Sequence, residues 1–70
     1  MISNMSKVLI IKKVSELIAS KYKISLDEAR DKIYSSKLID LIEDEETGLY
    51  GDSPLYVFSI YEELVKYENE

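Results

Sequence analysis

The chain has no cysteine, no histidine and no tryptophan, and both glycines and the single proline fall in one stretch, EDEETGLYGDSP at 43–54. Without cysteine there are no disulfides and no thiol nucleophile, and without histidine no serine has the usual base to take its proton. The commonest ligands of transition metals are missing together. Long apolar runs are missing too. The run near the start, Val8 to Ile11, is four residues long and followed by two lysines, against the ~20 of a membrane span, and it is too short for a signal-peptide core. These absences lead to the expectation of a cytoplasmic protein with no enzymatic activity, cofactor or membrane contact.

What remains is apolar packing and charge. Seventy residues make one domain, near the lower end of what folds without a metal, disulfides or a partner. At 46% hydrophobic and 33% charged, the composition supports a core and argues against disorder. The net charge of −5 hides an asymmetry: residues 1–37 hold eight basic and four acidic side chains, residues 38–70 one base and ten acids. Such a C-terminal half repels nucleic acid and attracts basic protein surfaces. The simpler reading pairs the first and last helices across the fold.

Turn signals cut the chain into four segments. At roughly 100° per residue, positions 6–22 gather Val8, Ile10, Ile11, Val14, Leu17, Ile18 and Tyr22 on one side. Lys12, Lys13, Glu16 and Ser20 lie opposite, and Leu9 is the one apolar residue out of place. Ser25-Leu26-Asp27-Glu28 matches a capping box opening a second helix with a narrow stripe of Leu26, Ala29 and Ile33. Ser35-Ser36 breaks the chain before a short third helix, where Leu38, Ile39, Leu41 and Ile42 share one arc. LYVFSIY at 55–61 taken alone reads as a strand. Against that, Ser53-Pro54 is an N-cap followed by proline at the first helical position. The expected fold is therefore all-α, a bundle of four helices at about 6–22, 26–34, 37–44 and 54–67, with 1–5 a flexible tail. The alternative is a small α+β fold with a strand near 55–61 pairing with 8–11.

The acidic loop invites a metal reading. With Asp44 in the first position of a calcium loop, Gly48 falls where a ligand belongs and Leu49 where the glycine belongs. The loop pattern fails, leaving Asp44, Glu46 and Asp52 as the residues a casual divalent ion could use. The glycines form no phosphate-binding pattern. As architecture the stretch makes more sense. Acids at a helix C-terminus oppose its dipole and end the third helix, Gly48 takes a positive φ, and Leu49-Tyr50 fold back onto the core.

Six tyrosines against one phenylalanine favour boundary and interface positions. Helices 1 and 4 have apolar arcs of about 200°, wider than the ~100° a surface helix needs. Either they form the centre of the bundle or part of helix 4 meets another chain, and a homodimer is the expectation. Candidate partner-binding residues on that helix are Tyr56, Tyr61, Glu62, Glu63, Val65 and Tyr67. A helix-turn-helix built from helices 2 and 3 would turn Asp40, Glu43 and Asp44 towards phosphates, which argues against nucleic acid as a partner.

The segment ISLDEARDKIYSSKLIDLI…ETGLYGDSPLYVFSIYEEL, residues 24–64, resembles small uncharacterised bacterial proteins of the domain-of-unknown-function class. Some of those are encoded near toxin–antitoxin or mobile-element genes. The resemblance implies an accessory or partner-binding role and transfers no functional residue. The functional expectation is a non-enzymatic protein–protein interaction module using helix 4 and the acidic half, with a basic protein as partner. The alternative is a ligand- or divalent-metal-responsive domain using the 43–52 loop, and a third reading is a nucleic-acid-binding regulator.

Overall fold

The computed structural model describes residues 4–68, with side chains from Met5 to Tyr67. Its helices are α1 (Asn4–Tyr22), α2 (Leu26–Tyr34), α3 (Leu38–Glu43) and α4 (Pro54–Glu68), with a 3-10 turn at Leu49–Gly51 before α4. The all-α expectation holds. Among the described residues there is no strand, and the segment 55–61 lies inside α4. At the other end, Asn4 and Met5 are helical rather than part of a flexible tail. Residues 1–3 of that expected tail lie outside the described residues.

Small hydroxyls set the helix starts. Ser25 Oγ accepts the Glu28 amide at 3.1 Å, one arm of the capping box. Among the described residues the return bond from the exposed Glu28 carboxylate is not formed. Ser36 Oγ accepts the Leu38 amide at 3.2 Å and donates to the Ile33 carbonyl at 2.8 Å, tying the end of α2 to the start of α3. Ser53 Oγ accepts the Tyr56 amide at 3.2 Å, and the Ser53 carbonyl accepts the Val57 amide at 3.1 Å. With Pro54 leading, that cap commits a β-prone sequence to helix.

α1 ends differently. Lys23 has φ +55°, and the Ile24 amide reaches back to the Ala19 carbonyl at 3.1 Å, the six-residue closure of a Schellman motif. Ile24 then packs against the core. A lysine Cβ in the left-handed region costs about 1–2 kcal/mol, part of which glycine would give back as chain entropy. Lys23→Gly is expected to raise stability by about 0.5–1 kcal/mol in urea titration; an unchanged midpoint would show that the turn carries no strain.

The core is built on α1. Ile10, Ile11, Val14 and Ile18 are buried, as are Ala29 and Ile33 of α2. Leu38 and Ile42 of α3, Leu49, and Val57 and Tyr61 of α4 complete the cluster. α1 packs against α2, α4 and the 3-10 turn, and α3 closes against α2 and α4. The wide apolar arcs are only partly covered. Val8, Tyr22 and Leu26, all expected on buried faces, are exposed. Length explains this for Val8 and Tyr22: α2 and α3 span roughly 14 and 9 Å against roughly 28 Å for α1, so the ends of the long helix stay bare.

Candidate functional site

The acidic loop is closed by its own hydrogen bonds. Asp44 caps the end of α3, and its Oδ1 accepts the Glu46 amide at 2.9 Å. Thr47 Oγ1 lies 2.6 Å from the Leu41 carbonyl and 2.9 Å from the Asp44 carbonyl, the two acceptors for its proton. Gly48 sits at φ +66°, a left-handed position suited to glycine. Leu49 is buried and Tyr50 packs against the core, as the sequence led us to expect. The structure does not assemble Asp44, Glu46 and Asp52 into a ligand set. Among the described residues, no three histidine, cysteine, aspartate or glutamate side chains come together to hold a metal ion.

The six candidate residues of α4 divide evenly. Tyr56 and Tyr67, 54% and 69% exposed, share a solvent-facing stripe with the exposed Glu63, at helical spacings of seven and eleven. The other three are covered to different degrees. Tyr61 is 4% exposed and belongs to the core, which takes it out of a partner's reach, and Val65 is partly buried against that core. Glu62 is engaged with α1 instead. It forms an ion pair with Lys21, whose ammonium also lies 5.6 Å from the Phe58 ring centre and 5.7 Å from that of Tyr22.

This contact ties the basic end of α1 to acidic α4. A second lysine does the same at the far end: Lys7 donates to the Glu43 carbonyl at 3.2 Å and lies 5.9 Å from the Tyr50 ring centre. A cation there suits the negative end of α3. The hydrogen bond that the Lys21 ammonium donates to the Glu62 carboxylate raises the Lys21 pKa above its ordinary value. The bond's contribution to folding is thus complete below the ordinary lysine pKa and fades as pH rises through the raised value. Lys21→Met should lower stability modestly at neutral pH, with the difference from wild type closing in the alkaline limb of a urea-midpoint against pH series. A difference constant to the alkaline end would assign the effect to the packing of the side chain rather than to its charge.

A further surface lies where α1 passes the first turn of α4. Leu9 and Leu55, 47% and 68% exposed, line one open groove with Leu17, Pro54, Lys12 and Lys13, and Glu16 sits on its edge. Two smaller grooves adjoin it. One continues past Lys12 to Val8, Arg30 and Tyr34, the other past Leu9 and Lys13 to Asp52. The outward ridge of α1 therefore borders three shallow grooves, with Leu9, Lys12, Lys13 and Pro54 each lining two of them. The sequence carried one signal for it, since Leu9 fell outside the apolar arc of its helix. Among the described residues no helix is long and apolar enough to cross a membrane. No family model, no curated protein and no solved structure matches the chain.

Proposed function

We propose that this chain is a small helical protein–protein interaction module, an accessory or antitoxin-like protein acting in the cytoplasm without catalysis. The observation that carries the reading is the groove between α1 and α4. Single exposed leucines are ordinary on a protein surface, but Leu9 and Leu55 are exposed together in one concavity that Leu17 and Pro54 also line. Contiguous apolar surface of that kind is where association gains free energy. The acidic C-terminal half adds a steering field for a basic protein partner, with Tyr56, Glu63 and Tyr67 as its exposed contact stripe. Self-association as a homodimer belongs to the same reading.

The test compares proteins retained from the native host by the wild-type chain with those retained by Leu9→Asp and by Tyr56→Ala/Glu63→Lys, each checked for helicity by circular dichroism. A protein held by wild type and lost from one variant identifies the partner and its face. Glu63→Lys should also slow association, more at low salt. Recovery of the same proteins by wild type and both variants would sink the proposal.

A further inference from the structure

We infer that the outward ridge of α1, with the first turn of α4, is the seat of a second copy of this chain, the two α1 helices running antiparallel about a two-fold axis. The inference rests on the interaction-module reading in using the same groove, and it names the occupant. Charge decides among occupants. The rim carries Lys12 and Lys13 on one side of the balance, and Glu16 and Asp52 on the other. An acidic helix from another protein would set like charges against Glu16 and Asp52, and a basic one would meet the two lysines. An inverted copy satisfies both. In an isologous contact each patch faces its own twin, so a patch must contain its own complement.

The order of residues along α1 supplies that complement. Lys12 and Lys13 lie one turn before Glu16, so an antiparallel neighbour brings the lysines of each copy beside Glu16 of the other. That inversion has its centre between Lys13 and Glu16, and it leaves Leu9 of each copy within one turn of Leu17 of the other along the shared axis. Leu55, the most exposed leucine of the described residues, closes the flank beside Pro54. Three leucines per copy supply the apolar part of the contact, and the paired Lys13 and Glu16 lie between them.

The experiment needs only the purified chain, so its outcome is independent of any partner found by pull-down. Sedimentation equilibrium up to about 1 mM, where even weak self-association is populated, should show a monomer–dimer equilibrium. Leu9→Glu and Leu55→Glu should each weaken dimerisation at least about tenfold with helicity retained, because both side chains are already in solvent. Lys13→Glu and Glu16→Lys should each weaken it as well, and the double variant Lys13→Glu/Glu16→Lys should recover it. Charge-swap rescue within one chain is a signature of a self-complementary contact. A wild-type chain monomeric at about 1 mM overturns the inference and leaves the groove to another protein. A dimer indifferent to both leucine changes overturns the choice of surface. Failure of the double variant to recover, with each single variant weakened, overturns the antiparallel pairing.

Discussion

Ile33→Ala is expected to lower the free energy of unfolding by about 2–4 kcal/mol, and the reason lies in where Ile33 sits. It is fully buried near the end of α2, and α2 packs against both α1 and α3. Its carbonyl accepts the Ser36 amide at 3.1 Å and the Ser36 hydroxyl at 2.8 Å. The side chain therefore fills the space below a turn whose backbone is already fixed, and the turn cannot easily collapse into the void. Alanine improves helix propensity by less than about 0.7 kcal/mol, which does not offset a cavity. A chain of this size has only about 3–5 kcal/mol from its single core, so the variant should be partly unfolded at 25 °C. Leu26→Ala, on the same helix but 44% exposed, should change stability by no more than about 0.5 kcal/mol. Urea titrations of all three proteins at one fixed protein concentration make the comparison, since self-association would shift each midpoint by mass action. Near-equal midpoints for the two variants would mean that α2 is not held by Ile33.

The helix starts were legible because capping is local. Ser25, Ser36 and Ser53 each act on an amide two or three residues along, and residues that close in sequence can be read from sequence alone. Ser53-Pro54 overrode the β-branched and aromatic content of LYVFSIY, so a short-range signal beat an average over propensities. Gly48 was legible for the same reason, being both the stop of one segment and the only positive-φ glycine. The start of α1 was less so. Several polar residues near the N-terminus could have capped it, and the helix runs back to Asn4.

Depth was not legible. Periodicity gives the direction in which a side chain leaves its helix, but the neighbouring helices decide how far that direction is covered. Tyr56 and Tyr61 belong to one short stretch, and one is half in solvent while the other is core. Val8 shares the apolar side of α1 with Val14 yet lies in solvent, because cover runs out towards the helix end. The exposed leucines at the first turn of α4 and along α1 were not foreseen for the same reason, since their exposure follows from cover and not from periodicity. Nor was the pairing of Glu62 with Lys21, forty-one residues away in sequence, legible. A contact of that range has no trace in local pattern.

Ser15→Ala should have the opposite sign to Ile33→Ala, a gain of about 1–2 kcal/mol. Ser15 is fully buried in the middle of α1, and among the described residues its Oγ has no hydrogen-bond partner. A hydroxyl removed from water without compensation costs about 1–3 kcal/mol, and deleting the oxygen removes that cost while leaving a void smaller than a methyl group. Helix propensity contributes in the same direction, by about 0.5 kcal/mol. The two contributions can be separated on the same helix. Ser20 is exposed on α1, so Ser20→Ala reports the propensity gain alone, and the excess of Ser15→Ala over Ser20→Ala isolates the buried hydroxyl. Ser15→Thr retains the oxygen and adds a methyl group to a filled position, and it should lower stability instead. Equal gains from Ser15→Ala and Ser20→Ala would mean that the Ser15 hydroxyl donates to the carbonyl one turn back, a bond whose loss balances the relief of burial.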